Sequence, residues 1–520
     1  MSRNSLVARA AIIVMVGFLL SKVAGVVRQL AIAHVFGTSG MLDAYFAAFT
    51  APDLIFMLIS GGALATAFIP VFSEYLNQEG ADREAAWRMA SNVLTVSLTL
   101  STLVAAVVGL LAPWIVSGRF GVAPGFSPEL QALTVALMRL ILVSTIIFSV
   151  SGLVTGVLHT LQHFLLPAFA PLFYNVGIIF GALVIVPRLP EAQQVYGLAW
   201  GSILGALLHL GIQIPALVRH RARLRPVLDL RDPGLRQVAL LMAPRAAALA
   251  LIYTKFIMRS NFASRLSDGS LSALDFAWDL MQLPETIFGT AVALAAFPTL
   301  AELWAQRARH ELAQTFNQTV RAILALTVPA AVGLLLLSTP VVRAFYERGE
   351  FGVESSIAVS YALSFFAFGI IGHSLLEIVA RLFYAQKDTV RPLYAAVVML
   401  VVTGVVSWGL LGPLGIGGIA LGDTLGVFVE VGLLLYWLRS RLPETHDGTT
   451  VRATLKIGSA AATMAVALFL WLQLAGDTSI YVVAGGGVLI GAVVYTATAL
   501  ALGLDEIKMV PRMVLRRRPA

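Results

Sequence analysis

DAYFAAFTAPDLIFMLISGGALATAFIPVFSEY (Asp43–Tyr75) and DFAWDLMQLPETIFGTAVALAAFPTLAEL (Asp275–Leu303) are two versions of one pattern. Setting Pro52 on Pro284 also sets Asp43 on Asp275, Asp53 on Glu285, Ile55 on Ile287 and Phe56 on Phe288. Removing four residues from the first copy sets Pro70 on Pro298 and Glu74 on Glu302. Four residues is about one helical turn, so the gap preserves the helix face. Each copy is too apolar for a surface helix, is interrupted by Pro and Gly, and carries acids at apolar depth. Paired, interrupted hydrophobic segments in two halves of a chain point to a transport site in a membrane protein.

The rest of the chain agrees. Of 520 residues, 58% are hydrophobic and 12% are charged, with a mean hydropathy of +0.86. A soluble chain carries about twice that charge, so the long apolar runs read as membrane spans. The net charge of +8 sits in short loops between those runs, which is a topology signal rather than a nucleic-acid footprint. The absence of cysteine excludes disulfides, thiolate metal sites and cysteine nucleophiles. Arg3 and Arg9 precede the first apolar run, but no small-x-small cleavage site closes it. It therefore reads as a retained span.

The hydrophobic pattern predicts an all-α polytopic membrane protein with fourteen transmembrane helices, near 8–35, 43–76, 88–117, 130–157, 164–187, 194–218, 238–262, 271–303, 316–339, 356–384, 391–412, 415–438, 452–474 and 480–503. An even number puts both termini on one side. The loops on that side hold the excess of arginine, from Arg83 and Arg88 through Arg219–Arg236 to the tail Arg512, Arg516, Arg517 and Arg518. Both termini are therefore expected in the cytoplasm, with the tail as an anchor to anionic lipid.

A second echo supports two halves. VLHTLQHFLLP (Val157–Pro167) matches LFYAQKDTVRP (Leu382–Pro392) at an offset of 225 residues, close to the 228–232 of the first echo. The expected organisation is an N-lobe of six helices over 1–218, a basic cytoplasmic linker over 219–237, a C-lobe of six helices over 238–440, and two extra helices with a basic tail over 441–520. The small-xxx-small pairs Gly177/Gly181, Gly201/Gly205, Gly422/Gly426 and Gly487/Gly491 predict close helix packing within one bundle.

A charge at the centre of a span costs roughly 2.5–3.5 kcal/mol, so it is paired or faces a water-filled cavity. Span 1 carries Lys22 and Arg28, and its equivalent, span 7, carries Arg245 and Lys255. Asp43 and Asp53 lie in span 2; Asp275, Asp279 and Glu285 lie in span 8. In one reading the cations only neutralise these acids. In the other they line a cavity and bind an anionic headgroup, while the acids orient them or couple ions. Arginine suits phosphate because its planar fork bonds two oxygens. Glu377 and Arg381 are spaced to pair with each other. Asp423 reads first as a helix cap and second as a coupling group. Helices are expected to bend at Pro52 and Pro284, with Gly25 as a further flexible point. No catalytic constellation, metal site or cofactor motif appears, so the chain reads as a transporter and not an enzyme.

Four stretches carry a resemblance: SKVAGVVRQLAIAHVFGTSGMLDAYFAAFTAPDL (Ser21–Leu54), VLHTLQHFLLPAFAPLFYN (Val157–Asn175), AFYERGEFG (Ala344–Gly352) and LFYAQKDTVRP (Leu382–Pro392). With them the chain resembles the MurJ (MviN) lipid II flippases of the multidrug/oligosaccharidyl-lipid/polysaccharide exporter superfamily, over nearly its whole length. The resemblance implies two lobes working by alternating access in a bacterial cytoplasmic membrane. It implies export of undecaprenyl-pyrophosphate-linked peptidoglycan precursor, and a tail groove formed by the last two spans. The implied partners are lipid II and membrane lipids, with no nucleic acid, no cofactor and a monomeric state.

The chain departs from the family pattern inside the cavity. The span-1 arginine pair is Lys22 and Arg28, and the acid that follows is Gln29. The family's basic residues in span 2 fall at Phe56 and Met57, and its nearby acid at Gly61. Its span-8 ADRxxE pattern reads Ala277–Gln282, with Asp279 in place of the arginine. Arg245 and Lys255 are the expected replacements. The alternatives are a flippase of another polyprenyl-linked glycan, a cation-coupled small-molecule exporter, and a scaffold that has lost transport.

Overall fold

The computed structural model describes residues 3–60, 62–77, 83–445, 448–476, 478–504 and 506, and the side chains of 3–12, 60, 62, 63, 65, 66, 244, 245, 247 and 248 are not among what it describes. The basic tail and Gly61 thus lie outside the described residues.

No strand occurs among the described residues, in keeping with the hydrophobic pattern. The first half of the chain forms α1 (Arg3–Phe36), α2 (Gly40–Ile55), α3 (Gly62–Asn77), α4 (Arg83–Ser117), α5 (Pro128–Thr160), α6 (Leu165–Phe180), α7 (Gln194–Gly211), α8 (Ile214–Arg219) and α9 (Pro233–Ala263). The second forms α10 (Ser270–Pro284), α11 (Ala291–Ala305), α12 (Arg309–Leu336), α13 (Ser338–Tyr346), α14 (Val353–Phe366), α15 (Gly369–Ala385), α16 (Val390–Leu414), α17 (Ile416–Arg441), α18 (Gly448–Leu474) and α19 (Ile480–Ala501). Among the described residues twelve helical runs are long and apolar enough to cross a membrane, and α14 with α15, bent by 44°, makes a thirteenth if the pair is one span. Helix α9 is not in that set. By contact the chain forms two compact units, one of residues 1–271 with 348–350 and one of 272–347 with 351–520.

In the first unit α9 packs on α2, α3 and α4. The stretch before it is not a loose linker. Residues 223–229 are tied along α4 by main-chain bonds to polar side chains. The Arg225 and Val227 amides donate to Ser91 Oγ (3.0 Å) and Thr95 Oγ1 (3.1 Å), and Asn92 both accepts from the Asp229 amide (2.9 Å) and donates to its carbonyl (2.7 Å). In the second unit α18 and α19 cover α12. Ile457, Ala460 and Leu468 are buried there beside Leu324 and Ala325, and the Tyr495 hydroxyl donates to the Ala325 carbonyl at 2.7 Å.

The four glycine pairs do what their spacing predicts. A Cβ on Gly177 meets the backbone of Gly205, and one on Gly181 comes within 2.6 Å of the Gly197 carbonyl, so α6 and α7 cross backbone to backbone. Gly422 and Gly426 face Ser407 and Thr403 of α16, and Gly487 and Gly491 face Leu337, Leu468 and Met464.

The two sequence echoes are matched by backbone conformation. Both copies of the proline stretch break from α to π geometry after the proline, at Phe56–Ser60 after Pro52 and at Glu285–Thr290 after Pro284. The turns entering them hold Gly37 and Gly269 at φ of +55° and +86°. In the second echo the matched residues Gln162 and Lys387, which follow α5 and α15, have φ of +59° and +60°. Left-handed backbone is unfavourable for residues with a Cβ, so its recurrence at matched positions reflects one turn used twice. Arg343, just ahead of AFYERGEFG, donates to both oxygens of Glu347 within it (2.8 and 2.9 Å), and this holds the Glu347 carboxyl below the usual carboxylate range.

Two outcomes follow for stability in detergent. Gly205→Val overpacks the α6–α7 crossing, where backbone must move, at a cost of about 1–3 kcal/mol. It lowers the thermal midpoint, whereas Gly458→Ala, which meets open space, leaves it unchanged. Gln162→Val and Lys387→Val each cost about 1–2 kcal/mol through the left-handed turn, and the glycine variants at these positions match or exceed the parent midpoint.

Candidate functional site

Within the first unit the polar side chains at membrane depth converge from four helices. Lys22 of α1 is exposed, with its ammonium 5.6 Å from the Phe18 ring centre. Arg28 stands about 9 Å further along α1. It is half-buried, and its buried Nε has no hydrogen-bond partner among the described residues. Arg28 lies within electrostatic reach of Asp53 and Tyr45 of α2 and of Tyr174 of α6, without pairing with Asp53. Asp53 is exposed, and Tyr253 of α9 lies within its electrostatic reach.

The supporting contacts are apolar or neutral. The Tyr45 hydroxyl lies 3.1 Å from Ser202 Oγ of α7. Phe148 of α5 touches Phe56 and Tyr174, with centroids 5.1 Å apart in each case. Thr145 of α5 donates to the Pro52 carbonyl at 3.4 Å, which ties α5 to α2 just ahead of the π-turn. Beneath this layer Ser151 meets His209 Nδ1 at 2.6 Å, and Gln213 donates to Ser151 at 3.0 Å.

Helix α9 adds a second basic group. The ammonium of Lys255 and the guanidinium of Arg259 lie 5.6 and 5.1 Å from the ring centre of Phe256. The side chain of Arg245 lies outside the described residues. Asp43 is taken up elsewhere: it is buried, and its carboxylate accepts from the Gly269 amide at 2.8 Å, which fixes the turn before α10. Gly25 lies within the unbroken α1 with open space around it.

The second unit gathers a different set. Glu285 opens the π-turn and accepts from Thr290 (3.0 Å) and Thr286 (3.4 Å). Glu377 and His373 of α15 are within its electrostatic reach. Glu377 pairs with Arg381, as their spacing predicts. Asp275 and Asp279 are half-buried on α10. Asp423 does not cap α17: its carboxylate lies 3.1 Å from His373 Nε2. A single turn of helix was too short a context to show that partner.

Lys22 and Arg28 of the first unit thus stand at membrane depth with no ion pair among the described residues, and Arg28 is beside tyrosine hydroxyls. Such a set binds an anionic oxygen cluster, since arginine offers paired donors and tyrosine a single one. Tyr45, Tyr174, Ser202, Tyr253 and Arg259 were not legible as site residues. Four of them are neutral side chains in apolar helices and read there as core; Arg259 sits close to a span end, and its spacing of four from Lys255 was the available signal.

The family model for the lipid II flippase MurJ matches residues 32–507. The chain belongs to the MurJ family. It is 32% identical over 439 residues to the lipid II flippase MurJ of Burkholderia cenocepacia, covering 83% of this chain and 84% of that one. It is 29% identical over 515 residues to the probable lipid II flippase MurJ of Rhizobium tropici, covering 96% and 95%. Among solved structures it is similar to a lipid II flippase MurJ in an inward closed conformation, with a TM-score of 0.80 at 22% identity over 95% of this chain and all of that one. It is also similar to an inward-facing multidrug resistance MATE transporter, with a TM-score of 0.68 at 14% identity over 84% of this chain and 98% of that one. MurJ proteins are transporters, and the fold is shared with the wider exporter superfamily.

Within this frame Arg28 has a specific expectation. A hydrogen bond to a charged group is worth about 1.5–3 kcal/mol, or roughly 10- to 100-fold in affinity. Arg28→Gln therefore weakens apparent affinity for a lipid pyrophosphate by about that factor, measured by microscale thermophoresis in detergent. Arg28→Lys loses less, and equal affinity of Arg28→Gln and the parent removes Arg28 from the site.

Proposed function

We propose that this chain flips undecaprenyl-pyrophosphate-linked peptidoglycan precursor, lipid II, from the inner to the outer leaflet by alternating access of two lobes. Family membership over residues 32–507 carries this conclusion, and Arg28, whose buried Nε has no hydrogen-bond partner among the described residues, supplies its chemistry. The headgroup is held by Lys22 and Arg28 of α1, with Tyr45 and Tyr174 as neutral donors. Arg245 and Lys255 of α9 supply the cationic charge that the departures at Phe56, Met57 and Asp279 take away. Asp53 keeps Arg28 oriented. The tail stays in lipid, along α18 and α19.

The working topology is fourteen crossings: the twelve apolar runs, the bent pair α14–α15, and α9. The two six-helix repeats are supported by the paired π-turns and by the paired left-handed turns at Gln162 and Lys387. Pro52 and Pro284 are the hinges, because a π-turn already breaks the helix after each. The arginine-rich loops put both termini in the cytoplasm of a bacterial cell, and the chain acts as a monomer.

The test is rescue of a bacterium depleted of its own lipid II flippase, with membrane expression verified and outer-leaflet lipid II assayed alongside growth. Rescue by the parent is expected, and Arg245→Ala combined with Lys255→Ala abolishes it. Rescue that survives both substitutions overturns the replacement by α9. Failure of a well-expressed parent overturns lipid II as substrate and moves another polyprenyl-linked glycan to first place.

A further inference from the structure

The headgroup site leaves one titratable pair of the second unit without a role. His373 stands one turn into α15, just past the 44° bend from α14. Asp423 stands about 10 Å along α17 from its first residue. The pair is within the protein, with side chains 17% and 9% exposed. Trp278 of α10 meets the imidazole edge-on, with centroids 5.3 Å apart and an interplanar angle of 89°. The same indole rests on Phe366 at the end of α14, 5.5 Å away.

A pair at this depth holds one proton when it is uncharged overall, whichever partner carries it. Losing that proton leaves a buried negative charge, and gaining a second leaves a positive one. Either is costly at membrane depth, which favours one packing over another. A metal ion is a poorer occupant, because no group of three His, Cys, Asp or Glu side chains able to hold one occurs among the described residues.

The charged surroundings reinforce this. Glu285 on the π-turn lies within electrostatic reach of the imidazole, and Glu377 within reach of Glu285. Glu377 is paired with Arg381. Glu430 of α17 and Tyr384 lie further along, and Asp275 and Asp279 share α10 with Trp278. The other ionisable side chains of helices packed on α15 are Glu302 of α11, Arg309, His310, Glu311 and Arg321 of α12, Glu354 and Tyr361 of α14, Arg391 and Tyr394 of α16, and Tyr436, Arg439 and Arg441 of α17. None of these hydrogen-bonds to His373 among the described residues.

The pair is also mechanically connected. Trp278 is six residues ahead of Pro284 and its π-turn. The buried Ser374, next to His373, is packed directly against Gly289 within that turn. The Thr424 hydroxyl, next to Asp423, donates to the Phe365 carbonyl at 2.9 Å. A change in charge at the pair thus reaches the break in α10 and the bend between α14 and α15.

We propose that His373 and Asp423 form a proton-binding site, and that a proton taken up and released there in each cycle drives the rearrangement of α10 about its π-turn. The proton enters and leaves by the same hydrogen-bonded pair, with no bond other than N–H or O–H made or broken. The coupling rests on the transport reading above, whereas proton binding by the pair does not.

Two measurements on the full-length protein in lipid vesicles test it. A protonated imidazole quenches an indole in contact with it. The parent is therefore expected to show a tryptophan quench on acidification from pH 8 to pH 5 that disappears in Trp278→Phe and in His373→Gln and shifts in Asp423→Asn. No pH-dependent quench in the parent, or one that persists in His373→Gln, overturns the site. For coupling, lipid II flipping is measured with and without an imposed pH gradient. The ratio of the two rates exceeds one in the parent and falls to one in both His373→Gln and Asp423→Asn. A ratio of one in the parent, or an unchanged ratio in the variants, overturns the coupling. A parent that flips no lipid II at all overturns the transport reading, and the fluorescence result still decides the site.

Discussion

A proline in a membrane-spanning helix deprives a carbonyl of its backbone partner where no bulk water can replace it. Much of this structure follows from how that deficit is met at Pro52 and Pro284. After each proline the chain shifts into π geometry, which widens the helix and turns the following side chains. At Pro52 the neighbouring α5 contributes the Thr145 hydroxyl to the proline's own carbonyl, so the break is held in one place. Glu285, next to its proline, is thereby carried on a segment that is no longer regular α-helix, while Asp53 lies in the last turn of α2 just ahead of the break.

The two units then use similar breaks for different chemistry. In the first, Arg28 is surrounded by tyrosines and has Asp53 in reach without a contact pair. The buried Nε of that arginine keeps a donor with no hydrogen-bond partner among the described residues. In the second, three acids have close partners: Glu377 has Arg381, Asp423 has His373, and Glu285 has two threonine hydroxyls. A matched set binds no large anion, but it is sensitive to the gain or loss of a proton. The two units thus carry different polar groups beside similar breaks.

The remaining helices serve these breaks. Glycine crossings bring α6 against α7 and α16 against α17 closely enough that their backbones touch side chains or each other, which needs no polar contact in lipid. The segment 223–229 is fixed along α4 by side chains that satisfy its backbone, so the connection into α9 is a built element and not a tether.

The sequence by itself determined the class of the protein and the positions of its breaks. A hydropathy pattern is local, and so are proline, glycine and the spacing of Glu377 to Arg381. The aligned pair Asp53 and Glu285 was legible for the same reason. What only the tertiary structure decided was partnership. Asp43 reads as a cavity acid until Gly269, more than two hundred residues away, is seen donating to it. Asp423 reads as a helix cap until His373 is placed opposite. Tyr45, Tyr174 and Tyr253 read as apolar filling until three helices bring their hydroxyls to the vicinity of Arg28 and Asp53. Such roles arise from the crossing of helices distant in the chain, and no window of sequence contains both sides of a crossing.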